Sequence, residues 1–371
     1  MKKILFCFGT RPEVIKMAPL IKEASLEGFD CKVCLTGQHK DLIKPFLSFF
    51  ELKADYELDI MTPNQSLCSI TSLILSNIDK VIQKEMPDYI CVQGDTSSTF
   101  SCALAGYYHK VPIIHLEAGL RTDNIYSPFP EEVNRRMVST FASLNLCPSK
   151  KSLEVLESEK RDHSYFVGNT SIDALRLTLE KFKNENIDFS QHSEFKDIDF
   201  NKKIILVTTH RRENHGPPLE EICQALHEIS NEKGTQIVIP VHPNPNVKNI
   251  IENRLQDINN IFLINPLNYP EFVWLMNKAY ILLTDSGGIQ EEATFLKKPT
   301  FILRENTERE EVINIKSAVL VGTNKQKIIE NVKASLSDKD FYNSFRNDQF
   351  PYGNGKASKE IVKLIKSESA L

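Results

Sequence analysis

Tyr89-Ile90-Cys91-Val92-Gln93-Gly94-Asp95-Thr96 opens on five residues of nearly unbroken apolar character and breaks at a glycine. A run that short, without polar alternation, fits a strand covered on both faces rather than one at a solvated surface. A helical stretch over 98–108 follows, then a second apolar run over 111–116. Strand, helix, strand in that order is a βαβ unit, with parallel strands and a right-handed crossover.

The pattern extends in both directions. Runs at 4–8, 31–35 and 144–147 share its character, and Leu67, Ile70, Ile74, Ile78, Val81 and Ile82 form an apolar stripe at helical spacing. The second half repeats the alternation with runs at 204–208, 237–241, 261–264, 280–283, 300–303 and 318–321, and helices over 219–229 and 271–276. An α/β protein with two doubly wound parallel sheets follows. At 371 residues the chain exceeds the size at which one core stops growing, about 250–300 residues. Residues 181–203 are polar with weak periodicity and read as a linker or exposed segment, so the domain boundary is expected between about 165 and 203. A closing helix is expected over 358–371.

The 45 Lys and Arg are balanced by 49 Asp and Glu, which removes any general attraction to nucleic acid or anionic membranes. Met1-Lys2-Lys3 and the five apolar residues after it have the outline of a signal peptide but lack its length and cleavage site. No segment approaches the ~20 apolar residues of a membrane span, and a cytoplasmic location is expected. Several of the eight cysteines lie inside apolar runs, as small buried hydrophobes in a reducing compartment do. Cys31 and Cys34 are spaced as a CxxC but have no second ligand pair, and no histidine has metal-ligand spacing.

Ligands of open α/β sheets bind beyond the carboxyl ends of the strands. After the first strand comes Gly9-Thr10-Arg11-Pro12-Glu13, with Pro12 suited to a first helical turn; it is either a plain βα turn or an anion site in which Arg11 joins free backbone N–H groups. Asp95, Glu117 (in His115-Leu116-Glu117-Ala118-Gly119) and Glu131 (in Phe129-Pro130-Glu131-Glu132) each stand at a strand end or helix start. Converging carboxylates would repel one another and raise at least one pKa towards the range of a general base. Taken singly, Asp95 and Glu131 also read as helix caps or first-turn acids, and Arg121, Arg135 and Arg136 as surface charges.

In the second half, Asp285-Ser286-Gly287-Gly288-Ile289-Gln290-Glu291-Glu292 is a Gly-rich turn opening a helix, which presents N–H groups to a phosphate. Glu292 lies on its first turns, within reach of ribose hydroxyls. Thr209-His210-Arg211-Arg212-Glu213-Asn214 concentrates cationic groups suited to a diphosphate, and His242 in Val241-His242-Pro243-Asn244 repeats a strand-end histidine. The GxGxxG fingerprint of dinucleotide-binding dehydrogenases is absent.

In their order along the chain these motifs, with 14–19, 120–122, 127–128 and Thr284 extending them, resemble the bacterial non-hydrolysing UDP-N-acetylglucosamine 2-epimerases, from residue 3 to about residue 355. The resemblance implies two Rossmann-like domains facing a central cleft, the glycosyltransferase B-type fold. It assigns 1–168 to a first domain, to which a helix over about 356–371 returns, and 169–355 to a second, nucleotide-binding one. It implies reversible conversion of UDP-GlcNAc to UDP-ManNAc through elimination of UDP and 2-acetamidoglucal, supplying a bacterial surface polysaccharide, without metal or cofactor and in a homodimer whose domains close. Asp95, Glu117 and Glu131 would then do the acid/base work, with the proton-abstracting member left open, and His210 would join them. Arg11, His210, Ser286, Gly287 and Gly288 would hold the diphosphate, Glu292 the ribose and Phe272 the uracil, with Lys16, Arg135 and Arg309 nearby. Gln38, Arg211 and His242 match positions that bind an activating second UDP-GlcNAc, although two further positions of that group are Asp41 and Leu73 here, and Glu310 replaces a usual Pro. A hydrolysing epimerase, a glycosyltransferase of the same fold and a nucleotide-sugar sensor without turnover are the alternatives.

Overall fold

The computed structural model describes residues 1–37, 40–62 and 65–367, and of 40–42 the backbone alone. Seven strands, β1 (Lys3–Phe8), β2 (Asp30–Leu35), β3 (Tyr56–Glu57), β4 (Tyr89–Gln93), β5 (Ile113–Leu116), β6 (Leu144–Cys147) and β7 (Ser164–Phe166), form one sheet in the order β3-β2-β1-β4-β5-β6-β7. Six more, β8 (Lys203–Thr208), β9 (Thr235–Pro240), β10 (Ile261–Ile264), β11 (Ile281–Thr284), β12 (Thr300–Ile302) and β13 (Ala318–Leu320), form a second in the order β10-β9-β8-β11-β12-β13. All neighbours are parallel, and in both sheets the winding reverses between the first strand and the fourth, β1 beside β4 and β8 beside β11. This is the doubly wound topology expected, and it marks those two strand pairs as the places to look for ligands.

The expected apolar runs all form strands, and the central ones are buried on both faces: Ile4, Leu5, Phe6 and Phe8 are wholly inaccessible, as are Ile90, Cys91 and Val92. The two strands missing from the expectation, β3 and β7, stand at the edges of the first sheet and are only two and three partly exposed residues long, without an apolar run of the kind that marks the edge strands β10 and β13.

The chain divides into two units, Met1–Leu177 with Tyr352–Leu371, and Thr178–Pro351. The division lies inside helix Thr170–Asn184, not at 168. The first turns of that helix are tied to the returning segment: Asp173 accepts from the N–H groups of Ala357 and Ser358 at 3.1 and 2.8 Å, and Arg176 Nε donates to the Gly355 carbonyl at 2.7 Å. Helix Ala357–Ser367 then packs on helix Arg11–Leu26.

The segment read as a linker is instead packed. Phe195 is fully buried, and the rings of Phe189, Phe195 and Phe200 lie 6.4, 5.5 and 4.8 Å from that of Trp274. Aromatics scattered without a period escape pattern reading, although each buries a large area. The eight cysteines are free thiols; six are buried, Cys31 partly so, and Cys68 is exposed. No helix among the described residues is long and apolar enough to cross a membrane.

After β5 the chain turns through Gly119, whose φ of +91° is left-handed and whose absent Cβ would stand 2.2 Å from the Ser152 carbonyl oxygen. Gly119→Ala is therefore expected to destabilise by more than about 2 kcal/mol. At an unstrained glycine the same change stabilises by about 0.4–1 kcal/mol, so the sign of the shift in urea midpoint checks the geometry.

Candidate functional site

In the first unit the loops after β1 and β4 are stapled by one residue. Glu13 is 2% exposed; its Oε2 accepts from the N–H groups of Gly9 (2.8 Å) and Thr10 (2.6 Å), and its Oε1 from the hydroxyls of Thr96 (2.8 Å) and Thr99 (3.2 Å). The N–H groups that sequence reading left open to an anion are thus filled by the chain's own carboxylate. Arg11 stands exposed at the helix start, its guanidinium 5.9 Å from the centre of the Phe46 ring. Glu13 was not among the expected site residues; its signal was the Thr-x-x-Glu capping box.

Beside this staple the structure gathers three carboxylates and two cations. Glu117 follows β5 with φ +61°, a left-handed conformation that costs a residue with a side chain of order 1–3 kcal/mol. Its Oε2 accepts from the Lys16 ammonium and the Gln93 amide. Asp95 is half-buried, its Oδ2 2.8 Å from Arg135 Nη2 and its carbonyl 2.8 Å from Asn134 Nδ2. Burial pushes the Asp95 carboxyl up to about 6; Arg135 and Lys16 oppose the rise, while the charges of Glu117 and Glu131 add to it. Glu131 opens helix Glu131–Phe141, and its Oε2, like Arg135 Nε, is buried without a hydrogen-bond partner. Such atoms are rare in proteins unless something else meets them.

Arg135 is thus no surface charge. Arg136 binds the fully buried Glu132 at 2.5 Å, and Glu132 also takes the Thr122 N–H at 3.0 Å, which holds the loop after β5. Arg121 grips Glu159 through two bonds of 2.7 and 3.0 Å, a structural pairing. His115 is wholly buried; burial lowers its pKa to about 4, and its neutral ring donates from Nε2 to the Gly94 carbonyl at 2.7 Å, steadying the turn before Asp95.

In the second unit the staple is inverted. Asp285, at the end of β11 and 0% exposed, accepts from the N–H groups of His210 and Arg211 (each 2.9 Å), the Thr209 hydroxyl (3.0 Å) and Asn214 Nδ2 (3.0 Å), so the loop after β8 hangs on it. It too was quoted in a motif but not expected as a site residue. Ser286 precedes helix Gly287–Phe295 without a side-chain cap, which leaves the first-turn N–H groups for a ligand. A Cβ on Gly287 would lie 3.1–3.3 Å from the Arg309 guanidinium, whereas Gly288 faces open space. Arg309 donates from Nε to Glu291 at 2.9 Å and from Nη1 to Glu308 at 2.8 Å. Glu310 opens helix Glu310–Asn314, where an acidic side chain suits the positive helix end, so the loop keeps a stable continuation without proline.

Phe272 is half-buried on helix Tyr269–Lys278. Glu292 lies close enough to Tyr269 to reinforce burial in driving that phenol's pKa up. The His210 and His242 rings stack at 5.9 Å. Arg211 Nε is buried without a hydrogen-bond partner. Gln38 and the Asp41 side chain lie outside the described residues, and Leu73 is exposed.

Comparison with known proteins gives a consistent result. The family model for UDP-N-acetylglucosamine 2-epimerase matches residues 22–366. A UDP-N-acetylglucosamine 2-epimerase of Neisseria meningitidis is 45% identical over 367 residues, 98% of this chain and 99% of that one. The crystal structure of the UDP-GlcNAc 2-epimerase from Neisseria meningitidis bound to UDP-GlcNAc superposes with a TM-score of 0.89 at 45% identity, covering 98% of this chain and 100% of the other. The S. aureus MnaA–UDP co-structure superposes with a TM-score of 0.87 at 39% identity, covering 100% and 97%.

Proposed function

The chain belongs to the UDP-N-acetylglucosamine 2-epimerase family, and on that premise we propose that it interconverts UDP-GlcNAc and UDP-ManNAc without net hydrolysis. The observation that carries the reading is the cluster of Asp95, Glu117 and Glu131 around Lys16 and Arg135, with the Asp95 carboxyl lifted to about 6. A carboxyl titrating there exchanges protons readily near neutral pH.

Carbon-2 of the sugar has no adjacent carbonyl, so its proton leaves only as the C1–O bond to UDP breaks. A carboxylate of the trio takes that proton, the C–H electrons form the double bond of 2-acetamidoglucal, and the C1–O electrons depart with UDP. Return of a proton to the opposite face of C2 and re-addition of UDP at C1 completes the inversion. Negative charge grows on the diphosphate, where cations and fixed N–H dipoles stabilise it most. Arg11, His210, Ser286, Gly287 and Gly288 take the diphosphate, Glu292 the ribose and Phe272 the uracil, while Lys16 and Arg135 keep the carboxylates in their working charge state. Arg309 adds charge beside Gly287. The enzyme acts as a cytoplasmic homodimer, and its product feeds a surface polysaccharide.

The test is proton NMR with UDP-GlcNAc in D₂O, without acceptor, metal or NAD. Formation of UDP-ManNAc with deuterium at C2 of both sugar nucleotides is expected. Accumulation of free ManNAc and UDP would instead identify a hydrolysing enzyme, and an unchanged spectrum with bound ligand would sink the epimerase reading for this substrate.

A further inference from the structure

The Asp285 carboxylate does more than hold the loop after β8. Besides the backbone and side-chain donors already described, its Oδ1 lies 3.0 Å from Nδ1 of the His210 ring, and the same residue's N–H reaches both carboxylate oxygens, at 3.2 and 2.9 Å. His210 is therefore anchored twice to one buried group. Burial alone would raise the Asp285 pKa, but the His210 ring and the N–H groups of His210 and Arg211 outweigh it and hold the carboxyl below the usual range. It is thus ionised at neutral pH and can only accept. A nitrogen that bonds to an acceptor must carry the hydrogen, so Nδ1 is protonated and Nε2 is left at the far edge of the ring. His242, stacked on the ring with an interplanar angle of 29°, limits its rotation further.

We propose that Asp285 is the positioning residue for His210, locking the ring with Nδ1–H directed at Oδ1 so that Nε2 faces the diphosphate of the bound nucleotide sugar and donates to it as the imidazolium, whose two nitrogens both carry hydrogen. The proposal rests on the placing of His210 at the diphosphate. Asp285 itself touches no substrate atom; it acts through the imidazole, as carboxylates behind metal-bound or catalytic histidines do. The corresponding staple in the first unit, Glu13, binds only backbone and hydroxyl groups, so tying loops together does not by itself require a histidine on the carboxylate.

The test is a double-mutant cycle with a spectroscopic readout. Asp285→Asn is expected to lower kcat for UDP-GlcNAc by about 10–100-fold with KM changed much less. In a His210→Asn background the same substitution is expected to cost under about threefold, because the group it positions is gone. In the ¹⁵N-histidine-labelled protein, long-range ¹H–¹⁵N spectra should show the Nδ1–H tautomer for His210, lost or mixed in Asp285→Asn. Equal losses in both backgrounds, or a parental Nε2–H tautomer, would overturn the proposal. Should Asp285→Asn fail to fold, the parental tautomer still decides. Thr209→Val, which removes a donor to Asp285 without touching the ring, should keep that tautomer. If the parent protein does not turn over UDP-GlcNAc, the epimerase reading falls and the tautomer judges this proposal alone.

Discussion

Replacing Asp95 by Asn is expected to lower turnover of UDP-GlcNAc by about 10³-fold, within the range that a positioned acid or base supplies, while UDP affinity stays within a few-fold of the parent. The diphosphate ligands proposed above lie mostly in the second unit, and Asn keeps the shape and a hydrogen bond to Arg135. The pH profile separates the two roles open to Asp95. As the proton acceptor it works ionised, so kcat/KM rises as pH passes about 6; as the donor it works protonated, so kcat/KM falls there. In either case that limb should vanish from the residual activity of Asp95→Asn, and a limb near pH 6 that persists would assign it to another group.

The same substitution has a stability signature of opposite sign. The Asp95 carboxyl rises from 3.8 to about 6 on folding, so its favourable contribution is fully present below pH 3.8 and is lost as pH climbs through about 6. At pH 8 the folded protein carries a charge that its surroundings disfavour, even with Arg135 beside it. Asn removes that charge. With a side chain one-quarter exposed, the gain is about 1–2 kcal/mol at pH 8, falling to near zero at pH 3.5. Urea midpoints at the two pH values check it, and a variant no more stable than its parent at pH 8 would contradict the electrostatic account. Such a gain in stability with loss of turnover is the mark of a site built at the expense of the fold.

The doubly wound topology was legible because apolar runs report burial on both faces, and strands such as β4 and β6 have no other reading. The two- and three-residue edge strands β3 and β7 and the aromatic segment after residue 181 were not, since none carries a period. In the site, sequence pattern located Asp95 and Glu117 at strand ends and Glu131 at a helix start but could not rank the arginines. Arg121 and Arg135 look alike in the chain, yet one is neutralised by Glu159 and the other faces Asp95. Nor could it find the two staples. A buried carboxylate and an exposed helix-start acid have the same letter, and only the donors folded around Glu13 and Asp285 distinguish them.

Arg309 offers the other large effect, in which two consequences must be pulled apart. Its guanidinium lies against Gly287 at the start of the helix proposed to meet the diphosphate, and it neutralises Glu291, which is 3% exposed. Arg309→Met should therefore weaken UDP binding by about 100-fold, the worth of a charge-assisted contact of 2–3 kcal/mol, as read by calorimetry. It should also destabilise the fold by about 3–5 kcal/mol, because the Glu291 charge remains buried after its counter-charge has gone. A loss of binding in the single variant alone would be ambiguous, since a loosened loop weakens ligands too. Arg309→Met with Glu291→Gln removes both charges, so most of the stability should return while the UDP affinity stays low. If affinity recovered along with stability, Arg309 would be a strut for the 303–309 loop, and the diphosphate would rest on the N–H groups of Gly287 and Gly288 with His210.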